Sequence, residues 1–459
     1  MDARRSNADH AVVLGASLAG LLAARVLSEF FQRVTVIDRD RMPEVGQHRR
    51  GVPQGRHLHA LHPRGAMVLD ELFPGLLARV TEHGAVRGDV TGTARWQLAG
   101  HRFRQQDSGL LGLLGSRPFL EGHIREAVRA LPNVALVLEH DICGLTATED
   151  RRRVTGVRIA AHGIAEPEKS LAADLVVDAT GRGSRTPVWL QELGFPAPAE
   201  DRVDIGLGYT SRVYRLRPGS LGSDLVVVTG ATADRPQGGV LAAMEGGRHI
   251  VTLTGMLGAH PPTAPAEFEA YAADLLFPDI AEAIQGAEPL TDPVPFRFPA
   301  SVRRRDERLR RFPERLLVIG DAVCSFNPIY GQGITVAALE ATTLRQLLAR
   351  GGSVRPQRWF RSIARLVDVP WDVTVGSDLA FPQVPGRRTP KMRFVNAYLD
   401  RLQTAAEFDA TLANAFVRVV GMVDRPETLL RPDRMLRVLR APRHGSPTLP
   451  DQATIGAFH

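Results

Sequence analysis

Apolar positions along this chain follow two different periods. Residues 11–14 are a short continuous apolar run that predicts a buried strand, followed by a Gly-containing turn and a helix over about 18–30. Residues 34–37 form a second, β-branched run ending at Asp38, so the opening predicts a βαβ unit. Residues 43–65, rich in Gly, Pro, Arg and His, read as a loop. A helix is predicted over 67–77, a polar Gly-rich stretch near 81–112, a helix over 116–131 and a strand over 134–139. Strands are predicted at 154–160 and 171–178. From about 203 to 300 the pattern changes to strand-like pieces at 206–216, 224–228, 239–244 and 249–255, separated by Gly-rich turns, which predicts an antiparallel sheet. Residues 316–319 return to a short buried strand that feeds a helical pattern over 333–350. Residues 355–443 are mostly helical with Pro interruptions, and the final RHGSPTLPDQATIGAFH reads as a loose tail. No internal repeat or low-complexity tract is present.

A length of 459 residues predicts two or three domains, and 44% hydrophobic with 23% charged residues describes a globular protein with a large core. Disorder, collagen and disulfide-rich scaffolds are excluded as descriptions of the whole. The formal charge of +7 comes from 57 basic and 50 acidic residues, with Lys only at Lys169 and Lys391. Arg is spread along the chain, so an anionic cofactor comes before nucleic acid as a partner. Cys143 and Cys324 form neither a disulfide framework nor a CxxC site, and a reducing cytoplasm is the expected compartment. The apolar run 11–27 contains Gly15, Ser17 and Gly20 and is broken by Arg25. It reads as strand, turn and helix, and no membrane span is expected.

The first chemical signal is GASLAG, Gly15 to Gly20, a GxGxxG with Ser17 at the second glycine position. Such a turn delivers a helix N-terminus to a pyrophosphate, and Asp38, 18 residues beyond Gly20, stands where a carboxylate accepts from ribose hydroxyls. The rival reading is a Gly-rich turn of any α/β core. The second signal is LLVIGDAVCSFNPIYGQGITVAALEA. Asp321 suits a polyol hydroxyl such as a flavin ribityl chain, and the helix after Gly331 and Gly333 suits the flavin N1/C2=O locus, where negative charge gathers on reduction. An ordinary βα turn with an N-capping acid is the alternative.

GASLAG with Asp38, together with GDA…NPxxGxG, resembles the single-component FAD-dependent monooxygenases, the family typified by aromatic hydroxylases. RRGVPQGRHLHAL (49–61), with VTVIDRD before it and VVDATGRGS and NPIYGQGI after it, is similar to a bacterial branch that includes epoxidases of polyether antibiotic biosynthesis, over about residues 11–440. The resemblance implies an α/β fold: a Rossmann-like FAD-binding domain of the glutathione-reductase type (1–80, 112–200 and 301–350), an antiparallel-sheet substrate domain (81–111 and 201–300), and a C-terminal helical region (351–459). It implies FAD contacts from Gly15, Ser17, Leu18, Ala19, Gly20, Asp38, Arg39, Arg50, Arg56, Arg117, Asp321, Pro328, Gly331, Gly333 and Ile334, with Asp321 at the ribityl chain and 331–334 along the isoalloxazine. LVVDATGRGSRTP (175–187) corresponds to the family's DGxxSxxR motif, with Thr180 in place of its Asp and Pro187 in place of its final Arg; Cys324 stands where many members have His.

The implied reaction runs through a C4a-hydroperoxyflavin formed from reduced FAD and O2, which inserts one oxygen into an apolar secondary metabolite (a polyene, a terpenoid or an aromatic polyketide). Alkene epoxidation is the expected outcome, with aromatic hydroxylation, prenyl-reductase-like chemistry or a binding-only FAD protein as alternatives. A halogenase would carry WxWxIP and a catalytic Lys; the motif is missing, and both lysines lie far from the expected region. The reductant is NAD(P)H, acting directly or through a separate flavin reductase. No catalytic side chain and no metal ligand is assigned. Arg49, Arg50 and Arg56 neutralise pyrophosphate, gate flavin movement or take solvated or structural roles, and Arg117 has a surface salt bridge as its rival reading. His57, His59 and His62 lie in a spacing unsuited to zinc and read as flavin, substrate or structural contacts. RRRDERLRR (303–311) reads as a solvated face, with a nucleic-acid patch as the rival. Phe296, Phe298 and Phe381 read as core packing, with a pocket wall as the rival.

Overall fold

The structure, a computed structural model, describes residues 9–59, 61–164, 166–351 and 354–442. The tail expected over 443–459 lies outside the described residues. The chain builds an α/β fold around two large sheets. The first has five parallel strands in the order Leu316–Val318, Leu175–Asp178, His10–Leu14, Arg33–Ile37, Val134–Val137. Its strands are apolar runs rather than alternating ones because both faces are covered. The helices Leu18–Leu27, Arg117–Arg129 and Gly333–Ala349 pack together beside it. A small antiparallel sheet, His140–Ala147, Val154–Ala161 and Lys169–Ala172, completes this half.

Close approach fixes the first turn. Gly15 has φ +98°, and a Cβ there would lie 2.7 Å from the Ala179 carbonyl oxygen. A Cβ on Gly20 would lie 1.8 Å from the carbonyl oxygen of Gly15. The helix therefore starts directly over the strand end, with its free N–H groups aimed past Ser17.

The second sheet has nine strands, mostly antiparallel, built around the long strands Glu200–Arg215 and Val294–Arg304. Its period-two pattern gives it two different faces. Val227, Leu241, Val251 and Leu253 point to one side and pack on the helices Pro265–Ala273 and Asp279–Ile284. Val228, Val240, Thr252, Tyr209 and Phe296 point to the other side, towards the first sheet, and wall a cavity. The helices Pro390–Ala406 and Ala410–Val420 close its far end through a cluster containing Phe103, Leu402, Ala405 and Leu412. The helix Pro356–Asp378 is pinned to the parallel sheet by buried Trp359, whose indole N–H donates to the Val318 carbonyl at 2.9 Å. No helix among the described residues is long and apolar enough to cross a membrane.

Several expectations are corrected. The first helix ends at Leu27, because Glu29 and Phe30 bond three residues back and tighten its last turn. The single helix expected over 67–77 is two, Pro63–Leu72 and Leu76–Glu82, broken at Phe73, which the following Pro74 holds extended. The stretch near 81–112 contains strands, and Ala94–Leu98 joins the large sheet parallel to Val226–Thr229. Two helices interrupt the segment expected as sheet alone. The 303–311 cluster is a solvated face only in its second part, where Arg308, Arg310 and Arg311 are exposed. Arg303 is 1% exposed, because strand alternation turns it inward to pair with Asp368 at 2.6 Å, and Asp306 is buried with it.

Gly20→Ala should cost about 3 kcal/mol or more, since the backbone at the turn has no room to yield; urea unfolding measures it, and a loss under 1 kcal/mol contradicts the packing argument.

Candidate functional site

Elements of the parallel sheet converge on the end of the first turn. Ser17 N-caps the first helix with extended backbone, yet its hydroxyl makes no cap bond. It accepts from Arg117 Nη2 at 2.7 Å and donates to Glu121 Oε2 at 3.1 Å. Asp38, at the end of the second strand, accepts from the Ala16 N–H at 2.7 Å and the Asp40 N–H at 2.9 Å. Arg49 lies between these groups with its side chain 6% exposed, paired with Asp38 (3.2 Å), Asp40 (3.3 Å) and Glu121 (3.0 Å). Burial disfavours its charge, but the three carboxylates outweigh that and hold its pKa above the ordinary arginine value.

The turn after Val318 forms the middle of the site. The Asp321 carboxyl opens into the cavity deep below the molecular surface and accepts no hydrogen bond from any described residue. Enclosure raises its pKa, opposed by Arg117 and Arg182. Behind it, fully buried Glu340 accepts from the Gly320 N–H at 2.6 Å, and burial pushes Glu340 up to about 8. Asn327 and Tyr330 both donate to buried Asp378, at 2.9 and 3.0 Å, while Thr374 donates to the Gln332 side chain at 3.1 Å. These bonds fasten the NPIYGQG turn to the Pro356–Asp378 helix and aim the start of the Gly333–Ala349 helix at the cavity.

Opposite stands the DATGRGSRTP turn. Asp178 is fully buried and accepts from the hydroxyls of Thr180, Ser184 and Thr186 and from the Thr180 N–H, so Thr180 serves the turn's own fold. Arg182 lies over the Phe298 ring, 4.5 Å from its centroid.

All of this faces one cavity of about 1750 Å³. Single small-molecule pockets span about 300–1,000 Å³, so the space has room for a dinucleotide and a second molecule. Of the expected cofactor residues, Gly15, Ser17, Leu18, Ala19, Asp38, Arg39, Arg117, Asp321, Pro328, Gly331, Gly333 and Ile334 line it. Gly20 lies one helical turn behind. Arg50 and Arg56 are exposed and do not line it; Arg49 is the loop arginine that does. Arg39 pairs with Asp141 at the rim. Phe296, Phe298 and Phe381 belong to one hydrophobic cluster and also line the cavity, so pocket wall and core are the same surface. Lys391, expected far from the site, lines it too.

The three loop histidines act separately. His57 Nδ1 bonds Ser211 at 2.9 Å, His59 Nδ1 donates to the His57 carbonyl at 3.0 Å, and His62 Nε2 donates to the Tyr330 carbonyl at 2.9 Å. Burial lowers all three, His57 to about 4 and His59 to about 3. No group of three or more His, Cys, Asp or Glu among the described residues is placed to hold a metal ion. Sequence reading missed Glu121, whose spacing four residues after Arg117 was the available signal, and Tyr209 and Thr252, which only strand register reveals.

The unpartnered Asp321 carboxyl, the helix N-termini at Leu18 and Gly333 and the closely packed first turn all fit FAD, and together they define an FAD-binding flavoprotein. Residues 9–352 match the family described as FAD binding domain, and the chain belongs to that family. Protein Rv3254 of Mycobacterium tuberculosis is 39% identical over 437 residues, covering 91% of this chain and 90% of its own length. The fold is similar to a flavoprotein/dehydrogenase of Cytophaga hutchinsonii (TM-score 0.66, 15% identity, 94% of this chain and 98% of that one). It is also similar to the p-nitrophenol 4-monooxygenase PnpA of Pseudomonas putida (TM-score 0.64, 18% identity, 91% and 98%).

Asp321→Ala should weaken FAD binding about tenfold or more, since a buried polyol hydroxyl loses a charged acceptor; fluorescence titration of the stripped protein reads this, and unchanged affinity would contradict it. Glu340 makes stability depend on pH. Its folded pKa of about 8 exceeds the ordinary 4.5, so its contribution is complete below about 4.5 and is lost as pH rises through about 8. Glu340→Gln should flatten that falling limb of the melting temperature, measured from pH 5 to 9.

Proposed function

We propose that this chain is an FAD-dependent monooxygenase that inserts one oxygen atom of O2 into an apolar small molecule, with alkene epoxidation as the leading reaction. The observation that carries the reading is the continuity of the cavity, in which the FAD cradle and the apolar face of the large sheet share one enclosed space. FAD held there would, when reduced, supply the O2-activating chemistry, with O2 as the source of the transferred atom. Asp321 and the Gly333 helix start orient the cofactor, while Val228, Val240 and Phe296 exclude water and present carbon to it. Oxygen transfer to an alkene asks no base of the protein, which agrees with a sheet face of hydrocarbon side chains and few hydroxyls. A phenol hydroxylase would gain from a general base there. Electrons come from NAD(P)H, slowly in its direct reaction, and a separate flavin reductase serves as the faster donor. Thr180 and Pro187 replace the two charged residues of the family motif, and Arg182 is already stacked on Phe298.

Incubating the FAD-loaded protein with NADPH, a flavin reductase and polyene or aromatic candidates under ¹⁸O₂ should give a product carrying one labelled oxygen, on an alkene carbon in preference to a ring. Product without label refutes an oxygenase. Anaerobic stopped-flow mixing with NADPH, with and without substrate, should show slow reduction that an added reductase accelerates; rapid saturable reduction by NADPH alone refutes the donor assignment.

A further inference from the structure

The GRHLHAL segment reaches the large sheet through a line of polar atoms on a mainly apolar wall, whose neighbouring cavity-lining hydroxyls are those of Tyr209 and Thr254. His57 is 2% exposed; its ring stands edge-on to Tyr209 (centroids 4.7 Å apart) and near Phe296 (5.6 Å). Its Nδ1 lies 2.9 Å from Ser211 Oγ, and Ser211 Oγ lies 2.6 Å from Thr252 Oγ1. Ser211 and Thr252 are directly paired across neighbouring strands, so they share a face. Thr252 also accepts from the Leu58 N–H at 3.3 Å. Ser211 does not line the cavity; Thr252 does.

The direction of this chain follows from what is buried at its closed end. His57 Nε2 has no hydrogen-bond partner among the described residues. With the hydrogen on Nδ1, only a bare lone pair is left among the rings. The other tautomer buries an N–H with no oxygen or nitrogen acceptor, the rarer and costlier arrangement. His57 Nδ1–H therefore donates to Ser211, and Ser211 donates to Thr252. The Leu58 N–H and the Ser211 hydroxyl then fill both lone pairs of Thr252 Oγ1, and the Thr252 hydrogen has no acceptor among the described residues. It is left to donate into the cavity.

We propose that Thr252 is a specificity-determining residue, whose hydroxyl donates to a carbonyl or other acceptor oxygen carried by an otherwise apolar substrate. His57 and Ser211 are positioning residues that fix the hydroxyl's direction. This deepens the monooxygenase reading and rests on it only for the word substrate, because the donor exists in the protein alone. A site built to donate discriminates against an analogue lacking the oxygen, since the buried hydroxyl is then left unpaired.

Two measurements on the FAD-loaded full chain test it. Nitrogen-15 spectra of histidine-labelled protein near neutral pH, with the His57 signal identified by its shift in Ser211→Ala, should show hydrogen on Nδ1; hydrogen on Nε2 overturns the direction. Titration with 2-acetonaphthone and 2-ethylnaphthalene, matched in skeleton and differing at the ketone, should show the ketone bound about tenfold tighter through the flavin absorbance change. Thr252→Val should bring the ratio to about one with the hydrocarbon's affinity unchanged, and Thr252→Ser should restore it. A ratio of about one in the wild type, a ratio retained in Thr252→Val, or failure of both compounds to bind overturns the proposal. Discrimination that depends on Thr252, in a protein that incorporates no labelled oxygen into any substrate, upholds the donor and counts against the monooxygenase reading alone.

Discussion

A single guanidinium, that of Arg49, ties together three elements around the first turn. Asp38 comes from the second strand, Asp40 from the residues after it and Glu121 from the Arg117–Arg129 helix. Three carboxylates in so small a volume would repel one another, and burial without a cation would cost several kcal/mol for each. Arg49 removes that conflict, and Asp38 also accepts from the Ala16 N–H. Arg117 extends the same cluster to Ser17. The first turn keeps its shape because the acids around it are neutralised from within the protein, before any cofactor arrives.

The parallel half was legible because its signals are local. A strand, a tight turn, a helix and an acid at Asp38 follow one another within 29 residues, from His10 to Asp38, and each carries its own pattern. Asp321 and the NPIYGQG turn were legible for the same reason. What escaped were features that depend on distant partners. Arg303 looks like a surface charge among charges, and only the packing of the Pro356–Asp378 helix against its strand turns it into a buried ion pair. Among Arg49, Arg50 and Arg56 the sequence offers no distinction; Glu121, far along the chain, selects the first. The short strands at 86–102 were hidden by Gly and polar residues, and Ala94–Leu98 finds its parallel neighbour, Val226–Thr229, more than a hundred residues away.

The enclosed middle of the site shows how far environment displaces ordinary behaviour. Glu340 and Asp378 are both carboxyl groups placed where water does not reach, and both hold backbone or side-chain donors of the cofactor turn. Their pKa values rise to about 8 and about 6, burial being the main cause in each. Neither touches the cavity, yet both set the backbone that does. These two buried carboxyls shape the turns from outside the cavity, while the Asp321 carboxyl opens into it together with Arg117, Arg182 and the hydrocarbon side chains of the large sheet.

The two-faced sheet has an evolutionary consequence. Along each of its central strands, every second residue belongs to the packed layer under the helices and every intervening one to the wall of the cavity. Substitutions at the wall positions can reshape what the cavity accepts without disturbing the layer that keeps the sheet folded. The C-terminal helices, which close the far end, offer a second surface that can drift on its own, because none of their residues takes part in the ionic cluster around Arg49. One scaffold can therefore serve a succession of differently shaped molecules while its cofactor end stays unchanged.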